Sequence, residues 1–209
     1  GKEFGGRLDV LVNNAGTSWG EDPDYGGAPE GSGKNWGWDK VLDLNVKGIF
    51  YLTRECVPLL QRRSDGAEGD WEGPTTSARA VPDPGRIINV GSVAGQMPQE
   101  APTHAYDVSK AAVHHLTRKM AADLAPRGIT VNALAPGYVP SKMTKGLGMW
   151  GPGMQKIADG IPLGRLGDGG DMGGACIYLA SRAGSWVTGI VILVDGGTVG
   201  AMQVPLSSL

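Results

Sequence analysis

Tyr106 and Lys110 stand four residues apart in Ala105-Tyr106-Asp107-Val108-Ser109-Lys110, at the start of a segment that reads as one long helix. Four residues make about one helical turn, so the phenol and the ammonium share a face. A free phenol titrates near ~10, and a cation held beside it stabilises the phenolate and lowers that value. Such a pair can trade protons near neutral pH. Taken alone it is equally the pattern of a tyrosine packed against its helix beside a solvated lysine.

Three further stretches shift the balance. Asn89-Val90-Gly91-Ser92-Val93-Ala94-Gly95 follows the run Arg86-Ile87-Ile88 and sets the Ser92 hydroxyl at the carboxyl end of an expected strand, where it can hydrogen-bond a substrate carbonyl. Leu8 to Gly16 is another strand ending in small polar residues, Asn13-Asn14-Ala15-Gly16, and Val131 to Gly137 is a third. Ligands of open α/β sheets bind outside the carboxyl ends of the strands, so these turns are expected to meet at one crevice.

The elements that must position these groups follow from periodicity. Apolar residues from Val41 to Val57 recur at helical spacing and predict a helix over 38–60, with Asn45 inside it despite its poor helix propensity. The spacing of Val108, Ala112, Val113, Leu116, Met120 and Leu124 predicts a second helix from about His104 to Ala125, with more apolar surface than a solvent-facing helix needs. Asp168 to Ser181 reads as a third helix with a glycine-rich start, and Val187 to Val194 as the last strand. Thr17 to Asn35 and Arg62 to Gly85 have loop composition. Trp19, Trp36 and Trp38, flanking the first loop, either wall a substrate pocket or pack the loop onto the fold. The second is the length of an unstructured insertion. Gly146 to Gly151 matches G-x-G-x-x-G in letters, but no strand delivers it to a helix, so it reads as the flexible part of a substrate lid over 142–161.

Length and composition bound the rest. The 209 residues suit one domain, or most of one. A net charge of −2 without a basic run speaks against nucleic acid, and no apolar run approaches the ~18 residues of a membrane span. Cys56 and Cys176 lie in apolar helical patterns, which suits a reducing, cytoplasmic compartment. His104, His114 and His115 have no metal-ligand spacing and read as surface or interface residues, so no metal is expected. The chain opens at Gly1 almost directly on a nearly continuous apolar strand. Such a strand belongs inside a parallel sheet, so earlier units of the fold are expected to be missing and this strand to lie at an edge.

In order and spacing these motifs resemble the short-chain dehydrogenase/reductases: N-N-A-G at Asn13 to Gly16, Asn45 in Asp43 to Gly48, Ser92, Y-x-x-x-K at Tyr106 and Lys110, Pro136-Gly137, and Val194-Asp195-Gly196-Gly197. The match covers nearly the whole chain and is most like the 3-oxoacyl-carrier-protein reductases, the rhamnolipid-pathway type included. The resemblance implies an α/β, Rossmann-like doubly wound parallel sheet truncated at its N-terminus, with residues 1–209 forming one partial dinucleotide-binding domain. It implies hydride transfer between NADP or NAD, NADP being favoured, and a small carbonyl or acyl substrate. Asn45, Ser92, Tyr106 and Lys110 are the implied catalytic residues. Ser92 would steady the oxyanion, Tyr106 would give the proton, Lys110 would lower the Tyr106 pKa and hold the nicotinamide ribose, and Asn45 would hold a water. Asn13, Ala15, Gly16, Tyr106, Lys110, Val139 and Ser141 are the implied cofactor contacts.

The same resemblance implies a homodimer or homotetramer built on the helices of Asn45 and Tyr106. The Ser92 to Tyr106 interval is one residue longer than the family's common form, and glycines replace its usual Pro-Glu at 169–170, which predicts a looser helix start there. The competing expectation is a non-catalytic truncated homologue that acts as an oligomerisation partner.

Overall fold

The computed structural model describes residues 5–20, 36–62, 83–146 and 152–201. Four parallel strands form one sheet in the order β1 (Val10–Asn13), β2 (Gly85–Val90), β3 (Ile129–Pro136), β4 (Val191–Val194). Helices α1 (Trp36–Leu42) and α2 (Gly48–Leu60) join β1 to β2, α3 (His104–Leu124) joins β2 to β3, and α4 (Lys142–Gly146), α5 (Pro152–Asp159) and α6 (Gly169–Ala180) lie between β3 and β4. This is the expected Rossmann-like arrangement. Among the described residues, no helix is long and apolar enough to cross a membrane.

Alternation along the strands divides the core. Successive strand residues face opposite sides of a sheet. Ile87, Ile129 and Val131 therefore pack with Val57, Leu60 and Met120 of α2 and α3 on one face, while Ile88 and Leu134 meet Leu179 of α6 on the other. The inner strands β2 and β3 are buried almost throughout, as strands covered on both faces must be. Among the described residues β1 pairs only with β2, and Val12 is 43% exposed, so it is an edge strand, as expected.

Three local expectations change. The helix over 38–60 is continuous in path but carries a π-helical segment, Asp43–Lys47, in which the Gly48 N–H donates to the Asp43 carbonyl. The expected strand 187–194 is paired in regular register only from Val191; before it the Gly189 N–H donates to the Val131 carbonyl and the Ala133 N–H to the Ile190 carbonyl, and side-chain bonds are interleaved with these. The Val131 N–H donates to Thr188 Oγ1, Asn132 Nδ2 donates to the Val187 carbonyl, the Ile190 N–H donates to Asn132 Oδ1, and Gly189 turns with φ 78°. The glycine-rich start of α6, expected to be loose, is fastened by a capping box. Asp168 accepts from the Gly170 and Asp171 N–H groups, and Asp171 accepts from the Asp168 N–H and, at both oxygens, from Arg165. The middle of the first loop (21–35), the insertion (63–82) and the glycine run (147–151) lie outside the described residues.

Candidate active site

The parallel register sets the carboxyl ends of β1, β2 and β3 side by side, and the residues singled out in the sequence gather there. β2 ends at Val90, the chain turns at Gly91, and Ser92 N-caps a short 3-10 turn over Val93–Gly95, its Oγ accepting from the Ala94 N–H at 3.2 Å. An eight-residue connection from Gln96 to Thr103 then leads to α3. Asp107, in the first turn of α3, accepts from Thr103 Oγ1 at 3.0 Å and from the Gln99 N–H at 3.4 Å, so the connection is tied to the helix that carries Tyr106.

Lys110 is 5% exposed. Its Nζ donates to the Val90 carbonyl at 2.8 Å and lies 5.4 Å from the centre of the Tyr106 ring. Desolvation lowers its pKa to about 8. Tyr106 is shifted the opposite way from the sequence expectation. Burial pushes its phenol up, the Ser92 side chain pulls it down by hydrogen bonding, and the Asp107 carboxylate pushes it up again. Lys110, 5.4 Å from the ring centre, is not among the groups that move the phenol.

Asn45, 1% exposed, explains the π-helical segment. Its Oδ1 accepts from the Thr17 N–H and its Nδ2 donates to the Thr17 carbonyl, both at 2.9 Å, and Nδ2 also donates to Ser109 Oγ at 2.9 Å. Ser109 in turn donates to the Tyr106 carbonyl at 2.7 Å. One side chain thus ties the segment after β1 to the first turn of α3. The extra residue in the helical turn is the kind of irregularity found at functional sites. Gly16 lies inside this clamp: a Cβ there would stand 3.3 Å from Asn45 Oδ1 and 3.7 Å from Lys110 Nζ.

The remaining candidates are placed differently. Ala15 is exposed at the strand end. Asn13 is buried, and its Nδ2 donates to Thr53 Oγ1 and Asn89 Oδ1, while Asn89 donates to Thr117 Oγ1 and Thr117 to the Val113 carbonyl. This side chain holds β1, β2, α2 and α3 together, so a ligand passing the strand end would meet the Asn13 backbone. Val139 and Ser141 belong to the turn after β3. Val139 is partly buried beside Gly167, and Ser141 is exposed, its hydroxyl accepting from the Thr144 N–H at the start of α4.

Three participants were not foreseen. Ser109 lies within the Y-x-x-x-K motif, and its place one residue before Lys110 could have suggested the link to Asn45. Tyr138 donates to Gln99 Oε1 at 2.9 Å, joining the turn after β3 to the Ser92–Tyr106 connection. His114, read as a surface or interface residue, is 2% exposed and packs beneath the Ser92 turn. Its position four residues after Lys110 was the available signal. Among the described residues no group of three metal-ligating side chains occurs.

Residues 1–67 match the family model described as short chain dehydrogenase, and residues 73–199 match the one described as Enoyl-(Acyl carrier protein) reductase. A rhamnolipids biosynthesis 3-oxoacyl-[acyl-carrier-protein] reductase of Pseudomonas aeruginosa is 41% identical over 93% of this chain and 68% of its own length. A 2-dehydro-3-deoxy-D-gluconate 5-dehydrogenase of Dickeya dadantii is 36% identical over 93% of this chain and 66% of its own. Among solved structures, the Pseudomonas aeruginosa RhlG/NADP active-site complex superposes with a TM-score of 0.76 at 39% identity, covering 94% of this chain and 68% of that one. A gluconate 5-dehydrogenase from Burkholderia cenocepacia in complex with NADP and tartrate superposes with a TM-score of 0.71 at 28% identity, covering 96% and 69%. The chain spans about two-thirds of the length of these relatives.

Proposed function

The chain belongs to the short-chain dehydrogenase/reductase family, and from that premise we propose that it is an NADP-dependent oxidoreductase that reduces the keto group of a 3-oxoacyl substrate. The observation that carries the reading is the meeting of Ser92, Tyr106 and Lys110 at the joined ends of β2 and α3, with Asn45 bracing the turn beneath them.

The residues present suit the nicotinamide half of such a cofactor. Lys110 spends one of its three N–H donors on Val90, and an ammonium is a natural partner for ribose hydroxyls. Gly16, with no side chain, leaves the approach to Lys110 open. Tyr106, Lys110, Ala15, Gly16, the Asn13 backbone, Val139 and Ser141 are the residues that would hold the group. When bound, it supplies the hydride.

The protein's own part follows from its geometry. Ser92 Oγ donates to the substrate carbonyl oxygen, fixing it and stabilising the charge that grows there. The Tyr106 hydroxyl is the proton donor. Its raised pKa keeps it protonated at neutral pH, the form an acid must have before it acts. Lys110, still largely protonated at neutral pH with a pKa near 8, keeps a positive charge near the phenolate left behind. The Asn45 side chain holds Thr17 and Ser109 and so fixes the turn that carries Tyr106.

The 3-oxoacyl reading is supported by the 41% identical relative, and it suits the apolar side chains Met154 and Ile157 that the lid segment lays against Val139 and Leu166. A sugar-acid dehydrogenase is the second reading, favoured by the 36% identical relative. Half-exposed Phe50, Tyr51 and Leu52 on α2 and Val108 on α3 support a homodimer or homotetramer built on these helices. Residues 1–209 are proposed as one partial dinucleotide-binding domain.

The substrate test compares turnover with NADPH on a 3-oxoacyl thioester and on a keto-gluconate. We expect kcat/KM to favour the thioester by tenfold or more. A preference for the sugar acid would reject the acyl assignment while keeping the oxidoreductase.

A further inference from the structure

The stripe of α3 that carries Tyr106 and Lys110 continues one turn further to His114, and this third residue has no part in the chemistry just described. It is 2% exposed, and its ring stands against the turn that presents Ser92. The contacts fall on both sides of that serine. A Cβ built on Gly91 would lie 2.2 Å from His114 Nε2 and 2.7 Å from Cδ2, and one built on Gly95 would lie 2.8 Å from Cε1. Gly95 also hydrogen-bonds the imidazole through its backbone, and Gln96 Nε2 lies 3.5 Å from Nδ1.

Neither glycine has the positive φ that would itself require glycine. What bars a side chain at Gly91 is chiefly the imidazole. At Gly95 the ring shares that role with the α3 backbone, since the same Cβ would lie 2.6 Å from the Lys110 carbonyl carbon. The turn therefore has close to the smallest possible backbone so that it can rest directly on the helix. The seat of Ser92 above α3, and so its distance from Tyr106 on that helix, depends on the His114 ring at Gly91 and on the ring together with the α3 backbone at Gly95. The ring is also neutral in use. Burial and the nearby Arg118 and Lys110 cations, all on α3, lower its pKa to about 4, and its Nε2 has no hydrogen-bond partner.

We propose that His114 is a positioning residue that seats the Ser92 turn on α3 and aligns the Ser92 hydroxyl with Tyr106 for carbonyl reduction. The inference rests on the oxidoreductase reading above. It predicts a loss confined to the chemical step, because a serine misplaced by about an ångström costs roughly 10²-fold in rate, whereas the cofactor contacts of Tyr106 and Lys110 stay in place.

The test measures kcat, the NADPH dissociation constant and backbone amide exchange across Gly91 to Gln96 for His114→Ala, Gly91→Ala and the double variant. We expect His114→Ala to lower kcat about 10²-fold with NADPH affinity within twofold of the parent and amide exchange of the turn faster by tenfold or more. Gly91→Ala, which drives a methyl into the ring, should give the same pattern. The double variant should lose less than the product of the two, because the methyl then occupies space the ring has vacated. Unchanged kcat and exchange in folded His114→Ala, or strictly multiplicative losses in the double variant, would overturn the proposal. If the unaltered chain shows no turnover, the oxidoreductase reading fails, and the exchange rates still decide whether His114 seats the turn. If His114→Ala does not fold, Gly91→Ala decides by the same two readouts.

Discussion

Replacing Tyr106 by phenylalanine should lower carbonyl reduction by about 10³-fold, within the range a positioned proton donor contributes, while leaving the fold nearly unchanged and weakening NADPH binding far less than it lowers the rate, because Lys110 and the other contacts of the nicotinamide half remain. The reason lies in how little else the hydroxyl does. Tyr106 is held through its backbone carbonyl, which accepts from Ser109, and through the packing of α3, neither of which needs the phenolic oxygen. The hydrogen bond among the influences that set its pKa is the one with Ser92, so its loss should cost about 1 kcal/mol of stability. Lys110 keeps its bond to Val90 and its place beside the ribose site. Steady-state NADPH oxidation and a fluorescence titration of NADPH on the same preparation check both halves. A variant that keeps a tenth or more of the parent rate would mean that another group supplies the proton.

Ser92→Ala should cost about 10²- to 10³-fold in kcat, the usual penalty for removing one donor to a developing oxyanion, and should also leave a mark that a purely structural serine would not. The Ser92 hydrogen bond favours the phenolate and pulls the Tyr106 pKa down against burial. Removing it must let that pKa rise further. In the oxidative direction Tyr106 acts as the base and must be deprotonated, so the rise of kcat/KM with pH should move to higher pH in Ser92→Ala. No shift, or a shift to lower pH, would show that the two hydroxyls are uncoupled. The same oxygen also caps the short 3-10 turn through the Ala94 N–H, so a loss of about 1 kcal/mol in stability should accompany the change. Stability and the pH profile distinguish the two roles.

What the sequence made legible, and what it did not, follows from the range of the physics involved. Tyr106 and Lys110 could be placed together because helical spacing is local, and α3 appears with nearly the expected bounds. The parallel sheet was legible from the apolar runs of β2 and β3 because strands covered on both faces leave that pattern. The sign of the Tyr106 shift was not. It depends on how deeply the ring is buried and on the Ser92 hydroxyl and Asp107 carboxylate beside it, and the burial is a fact of tertiary packing.

The role of the Asn13 side chain was not legible either. Its place at a strand end suggested a ligand contact, whereas its side chain is spent on Thr53 and Asn89, which lie 40 and 76 residues away. His114 was misjudged because a histidine on a helix face looks like a surface residue until the partner across it is known to be a glycine turn. The spacing that linked it to Lys110 was visible, but nothing local showed that Gly91 and Gly95 were shaped to receive it. Gly169 and Gly170 likewise predicted a loose helix start from local propensity alone, and the structure answers with the bonds of Asp168, Asp171 and Arg165.

In the proposed reaction the carbonyl carbon of a substrate held by Ser92, Tyr106 and Lys110 receives hydride from a bound nicotinamide. Its most direct test is transfer of label: the chain is incubated with a 3-oxoacyl thioester and NADPH deuterated at the transferable position, and the product is analysed by mass spectrometry. The account predicts a hydroxyacyl product bearing one deuterium on the new carbinol carbon, formed by the parent chain and not by Tyr106→Phe over the same interval. A folded chain that forms no labelled product from this or any other carbonyl compound, even with NADPH in excess, would contradict it and favour a non-catalytic partner in an oligomer.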